Sequence, residues 1–169
     1  MKLELKWGLI IGLILPVVLY STYFLGWHSR GLLGIQMVML IHFGLTMLGY
    51  FMAIREMVTR EPETTFREGL VSGLIIAGVT AVLALLTQLG YFTLINPGWT
   101  DYMVEQTRLY YLSNGATEEI ATELSQGARK TFGLRSYLIQ SASIAIVFGA
   151  FFTAAMMAVI RLRARRNRR

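Results

Sequence analysis

The chain contains no cysteine, and this absence excludes several kinds of site. Disulfides, thiolate metal sites and cysteine nucleophiles all require that residue. Histidine is nearly absent as well, with only His28 and His42 present. Because sulfur ligands are missing and nitrogen ligands are few, the sequence predicts no metal site, and no motif in it indicates a cofactor.

Charged residues are also scarce, at 15% of 169 residues, whereas soluble domains carry about 25%. Hydrophobic residues make up 54% and gather into four runs, at residues 7–27, 32–54, 69–95 and 137–160. Each run is long enough to cross a bilayer, for which about 20 apolar residues suffice. The pattern predicts an all-α membrane protein: a single domain over residues 1–160 with four transmembrane helices in an antiparallel bundle.

The first run follows Lys2 and Lys6 and therefore has to be compared with a secretory signal peptide. It is longer than the roughly 7–15-residue apolar core of such peptides, and no A-x-A-like cleavage site follows it. We expect a retained helix with Trp7 and Trp27 near the two interfaces. Arg55 ends the second run, and Thr65 with Glu68 resembles a capping box that starts the third helix.

The only long polar segment, residues 96–136, separates the third and fourth runs and holds two helical patterns. One face of the first pattern carries Trp99, Tyr102, Met103, Gln106, Leu109 and Tyr110. Thr117 is a good N-cap for the second, whose apolar face is Ile120, Leu124 and Ala128. We expect a helical hairpin. Its acidic residues are mixed with basic ones, which favours a solvated face over an acid–base site; they are Asp101, Glu105, Glu118, Glu119 and Glu123.

The distribution of Lys and Arg predicts the orientation in the membrane. Four spans place both termini on one side, together with Lys2, Lys6, Arg55, Arg60, Arg67 and the six arginines of residues 161–169. Fewer lie on the other side, namely Arg30, Arg108, Arg129, Lys130 and Arg135. The positive-inside rule therefore puts both termini in the cytoplasm of a bacterial inner membrane and the hairpin outside it.

Small residues recur every four positions and indicate close helix packing. Such ridges are formed by Gly8 and Gly12 in the first run, by Gly69, Gly73, Ala77 and Ala81 in the third, and by Ser141, Ala145, Gly149 and Thr153 in the fourth. Packing within one chain is the favoured interpretation. Association with a second copy, as a homodimer, is the alternative.

Polar side chains inside the runs fall mostly toward the outer half of the bundle. His42 is expected at a depth similar to that of Thr87 and Gln88, with Gln36 and Gln140 shallower. Two interpretations stay open. The residues can form a small ligand or proton-sensitive site around His42. Alternatively, His42 is a neutral histidine that links helices by hydrogen bonds to Gln88 or Thr87.

The basic tail, residues 161–169, is expected to attract anionic lipid headgroups through Arg161, Arg163, Arg165, Arg166, Arg168 and Arg169. No aromatic residue is interleaved for base stacking, so we expect no nucleic-acid partner.

Catalytic motifs are missing: there is no Walker loop, nucleophile elbow, HExxH or dinucleotide fingerprint. The runs also lack the carboxylates that transporters usually need. The sequence favours a non-enzymatic structural or accessory protein that associates with itself or with another membrane protein. The alternatives are a lipid- or small-solute-binding or transport protein using the region around His42, and an enzyme using the outward carboxylates.

Short motifs around the third run resemble a family of small four-span bacterial membrane proteins, the domain of unknown function numbered forty-one ninety-nine. The motifs are Thr65-Phe66-Arg67-Glu68-Gly69, Gly73, Tyr91, Ile95-Asn96-Pro97 and an opening Gly8-Leu9-Ile10-x-Gly12. The resemblance would cover nearly the whole chain. It implies a four-helix inner-membrane protein and transfers no catalytic residue or ligand.

Overall fold

A computed structural model describes the backbone of residues 2–166 and the side chains of residues 2–162. Six α-helices follow one another in that range: α1 (Leu3–Phe24), α2 (Gly31–Arg60), α3 (Phe66–Gly90), α4 (Trp99–Ser113), α5 (Glu118–Thr131) and α6 (Leu134–Arg166). A 3-10 turn, His28–Arg30, precedes α2, and a π-helical turn, Tyr91–Ile95, extends α3. No strand occurs among the described residues, so the predicted all-α class is confirmed.

Four helical segments are long and apolar enough to cross a membrane: Leu3–Phe24, His28–Arg60, Phe66–Ile95 and Leu134–Leu162. Their bounds differ from the predicted runs at the charged ends. The helix that contains the second run continues past Arg55 to Arg60. Glu56 accepts from Arg60 at 2.5 Å and from Lys6 at 2.8 Å, so its charge is compensated while the helix continues. The fourth helix likewise continues past residue 160 into the basic tail.

Contacts between helix ends show that the long helices alternate in direction. Lys6, near the start of α1, pairs with Glu56, near the end of α2. Ser72, near the start of α3, donates to Glu4 at 2.9 Å. Arg161, near the end of α6, donates to the Thr64 carbonyl. We call this end of the bundle the terminal end, and the opposite end, which carries α4 and α5, the hairpin end.

The central helix of the bundle is α3, which packs most extensively on α6 and α1. It begins with the predicted capping box, which is confirmed. The Thr65 hydroxyl accepts from the Glu68 amide at 3.2 Å, and the Glu68 carboxylate accepts from the Thr65 amide at 2.7 Å. These two bonds satisfy amides that have no partner within the helix. The start of the central helix is therefore fixed by local sequence.

Two of the predicted ridges face each other across the α3–α6 contact. An ideal Cβ on Gly73 would lie 2.6 Å from Thr153 Cβ, and one on Gly149 would lie 2.6 Å from Ala77 Cβ. Real Cβ atoms do not come so close to other heavy atoms, so neither position has room for a side chain. Close backbone approach supplies the dispersion contacts that hold apolar helices together in lipid.

The remaining ridge residues are also placed within one chain. A Cβ on Gly69 would lie 2.6 Å from Met157 Cε, one on Gly8 would lie 2.6 Å from Val79 Cβ, and one on Gly12 would lie 2.5 Å from Leu83 Cδ1. Ala81 is buried, whereas Ser141 and Ala145 are half-buried. The ridge glycines of α1, α3 and α6 are thus occupied by intramolecular contacts.

Candidate functional site: a histidine–aromatic cluster at the hairpin end

His28 lies in the tight connection between α1 and α2 and is only 4% exposed. Two glycines shape this connection: Gly26 has φ of 73° and Gly31 has φ of 64°. Such left-handed backbone is readily adopted only by glycine. The Trp27 amide donates back to the Thr22 carbonyl at 2.9 Å and closes the end of α1. The chain therefore turns sharply enough to place the imidazole inside the bundle.

Both ring nitrogens of His28 are hydrogen-bonded. Nε2 lies 3.1 Å from the Thr22 hydroxyl oxygen, and Nδ1 contacts the Tyr91 hydroxyl. The Thr22 hydroxyl donates its hydrogen to the Val18 carbonyl at 2.7 Å. It can then only accept from His28, so Nε2 carries a proton, and in a neutral imidazole Nδ1 accepts from Tyr91. Asn96 Nδ2 donates to the Tyr91 oxygen at 3.0 Å.

With a neutral imidazole the hydrogen bonds run in one direction: Asn96 donates to Tyr91, Tyr91 to His28, His28 to Thr22 and Thr22 to the backbone. The network therefore places the proton of a neutral imidazole on Nε2. The π-helical turn contributes directly, because it begins at Tyr91 and the Asn96 amide donates to the Tyr91 carbonyl at 2.7 Å. Such turns are often found at functional positions.

Aromatic rings enclose this network. The Trp99 ring centroid lies 5.6 Å from that of His28 and 5.9 Å from that of Tyr91, and Trp99 is 2% exposed. Trp99 Nε1 donates to the Tyr137 hydroxyl at 3.3 Å. The Gly31 amide donates to the Tyr102 hydroxyl at 3.1 Å. The histidine–aromatic cluster consists of Thr22, Tyr23, His28, Tyr91, Asn96, Trp99, Tyr102 and Tyr137.

The cluster fixes α4 to the ends of α1, α2, α3 and α6. Trp99 and Met103 of α4 are buried in it, as the predicted apolar face requires. Farther along α4, Leu109 and Tyr110 are exposed, because the helix extends past the bundle. The first half of the hairpin is therefore packed against the bundle end at its start.

The second half of the hairpin, α5, packs on α4 with a different face from the one predicted. Its buried residues are Ala121, Ser125 and Ala128. Ile120 and Leu124, expected on the packed side with Ala128, are 49% and 48% exposed. Small side chains at the contact let the two helices approach closely, and this leaves the larger apolar side chains on the flank.

Ion pairs join the two hairpin helices across their polar faces. Arg108 donates to the two Glu105 oxygens at 2.9 and 2.7 Å and also to Glu118. Arg129 pairs with Asp101 at 2.7 Å. The hydrogen bond from Arg108 lowers the pKa of the Glu105 carboxyl, which therefore stays ionised at neutral pH. The five acidic side chains of the hairpin are exposed, as expected of a solvated face.

The predicted polar group around His42 does not come together in the structure. His42 lies on α2, and its side-chain hydrogen bond runs to Thr46 of the same helix at 3.4 Å. Thr87 and Gln88 are buried on α3, which has little contact with α2. Gln36 and Gln140 are exposed, and Gln140 donates to Ser136 on its own helix. His42 on α2 and Thr87 and Gln88 on α3 do not face each other, because α1 and α6 cover most of the α3 surface.

Among the basic tail residues, Arg161 is the one whose side chain the structure describes, and it donates to the carbonyls of Glu63 and Thr64. The side chains of Arg163, Arg165, Arg166, Arg168 and Arg169, also predicted to contact headgroups, lie outside the described part of the chain.

The histidine–aromatic cluster was missed by the sequence analysis, although Tyr91 and Asn96 belong to the motifs of the family resemblance. His28 lies in the short link between the first and second predicted runs, where burial is not expected. The available signal was the pair of glycines that flank the link. Within residues 2–162, no group of three His, Asp or Glu side chains is arranged to hold a metal ion.

Comparison with known proteins adds one finding. The family model described as protein of unknown function (DUF4199) matches residues 6–161. The chain belongs to this family. No curated protein and no solved structure matches the chain.

Proposed function

We propose that this DUF4199-family protein is a non-enzymatic accessory subunit that binds another membrane protein through its hairpin. In this proposal it sits in a bacterial inner membrane with both termini in the cytoplasm and with α4 and α5 outside. The excess of Lys and Arg on the side of the termini supports that orientation.

The observation that carries the proposal is the combination of a hairpin packed on the bundle end with an exposed apolar flank. Trp99 and Met103 hold α4 in the bundle end, while Ile120 and Leu124 remain about half exposed one helical turn apart on α5. An apolar patch rimmed by charged residues is typical of a protein-binding surface. A fixed surface also binds at lower entropic cost than a flexible loop.

A different protein is favoured over a second copy of this chain as the partner. The glycines of the ridges that would have supported a homodimer are occupied by intramolecular contacts, such as that of Gly73 with Thr153. An enzymatic role has less support. The exposed carboxylates of the hairpin are either solvated or paired with Arg108 and Arg129, and none lies in an enclosed site where a substrate could be held for proton transfer.

Site-specific photo-crosslinking in the native membrane tests the proposal. A photoreactive residue at Ile120 or Leu124 should crosslink to one discrete protein from the same membrane. The same probe at Gln126, an exposed polar position on α5, should give at least fivefold less of that product. Crosslinks to lipid alone, crosslinks to a second copy of the chain, or equal yields at all three positions would contradict the proposal.

A further inference from the structure

A shallow groove of about 270 Å³ runs along the outer surface of α2, beginning at the connection to α1. Its lining consists of Trp27, Arg30, Leu33, Gly34, Met37 and Ile41. Leu33, Met37 and Ile41 recur every four residues and so form one row down the helix, about 12 Å long at 1.5 Å per residue. All three are exposed. The groove is therefore an apolar track that starts at the hairpin end and follows the direction of the span.

Gly34 shapes the upper part of this track. A Cβ at Gly34 would collide with the Trp27 carbonyl oxygen and would lie 3.1 Å from Arg30 Cβ. The missing side chain lets the connection fold down onto the first turn of α2. As a result, Trp27 and Arg30 stand together at the mouth of the groove.

Arg30 is the one charged residue of the lining. Its guanidinium carbon lies 5.8 Å from the centroid of the Trp27 ring, a cation–π contact that holds the side chain over the mouth. Arg30 is exposed, and no ion pair among the described residues involves it. A guanidinium in this state can bind a phosphate group through two parallel hydrogen bonds.

We propose that this groove is a binding site for one anionic glycerophospholipid. The phosphate binds the Arg30 guanidinium, and an acyl chain lies along Leu33, Met37 and Ile41. A soluble phosphate would use the mouth but not the apolar row, whereas a lipid uses both. An anionic headgroup fits better than a zwitterionic one, because it brings no ammonium group close to Arg30. Tryptophan at the mouth is the residue expected at headgroup level.

The test uses the full chain in detergent, with native mass spectrometry after addition of phosphatidylglycerol or phosphatidylethanolamine. We expect one phosphatidylglycerol to be retained per chain, at least fivefold more than phosphatidylethanolamine. Arg30→Gln should remove that preference. Arg135→Gln, which changes an exposed arginine at the start of α6, should keep it.

A second variant separates a lipid from a free phosphate. Met37→Trp fills the apolar row without changing the charge, and it should lower retention of phosphatidylglycerol at least threefold. The proposal is overturned if both lipids are retained equally, or if Arg30→Gln binds like the wild type. It is also overturned if Met37→Trp has no effect and inorganic phosphate displaces the lipid. Far-UV circular dichroism of each variant checks that the helices are intact.

Discussion

Replacing Gly73 by isoleucine should strongly destabilise the bundle. The new side chain would enter the space of Thr153, whose Cβ would lie 2.6 Å from a Cβ at position 73. Because both helices belong to the central α3–α6 contact, neither can move away without opening the core. We expect the free energy of unfolding to fall by about 3 kcal/mol, the upper part of the range for overpacking. Unfolding in mixed micelles, followed by circular dichroism, measures it.

The same helix offers a matched control. Gly78 also lies within α3, and a Cβ at that position meets no heavy atom within 4 Å. Gly78→Ile adds the same side chain at an open position and should leave the free energy of unfolding within about 0.5 kcal/mol of the wild type. Equal losses in the two variants would show that α3 and α6 do not pack as described.

Removing His28 should cost far more stability than removing His42. His28→Ala leaves a cavity among Trp99, Tyr91 and Tyr23 and deprives the Tyr91 hydroxyl of its acceptor. The lost packing and the unpaired buried hydroxyl together predict a loss of about 3 kcal/mol in the free energy of unfolding. His42→Ala breaks one 3.4 Å contact within α2 and should cost about 1 kcal/mol or less. Unfolding of both variants by denaturant under the same conditions measures the two losses in free energy.

The comparison shows which of the two histidines contributes more to the stability of the bundle. A larger effect for His42 would mean that it has partners across the bundle and that the histidine–aromatic cluster is not the element that fixes the hairpin. In addition, His28→Ala should make α4 more accessible to protease, since the cluster holds Trp99 in place. Unchanged proteolysis of α4 would contradict that role.

The long helices and their N-caps were predictable, because they depend on residues that are close together in the sequence. Four uncharged apolar runs predict four long helices, and Thr65 with Glu68 predicts the start of α3. Thr117 is likewise an N-cap, since its hydroxyl accepts from the Ile120 amide. The extension of α2 to Arg60 was not predictable from hydropathy, because charged residues follow Ile54. Glu56 in this extension pairs with Lys6, fifty positions away along the chain.

The inward-facing sides of the helices could not be predicted in the same way. In a soluble helix, the contrast of apolar and polar faces shows which side is buried. In a chain surrounded by lipid, both sides are apolar and the contrast is lost. His42 was therefore placed with Gln88 by depth alone, and it points elsewhere. The burial of His28 depends on two left-handed glycines and on Tyr91, which is 63 positions distant.

The mass of the protein extracted from its own membrane in mild detergent tests the proposed function most directly. We expect the chain to emerge in a complex with one other membrane protein, and we expect the double variant Ile120→Ser, Leu124→Ser to emerge without it while remaining folded. Extraction of the wild type as a lone chain or a homodimer would contradict the account, and so would a complex that the double variant retains in full.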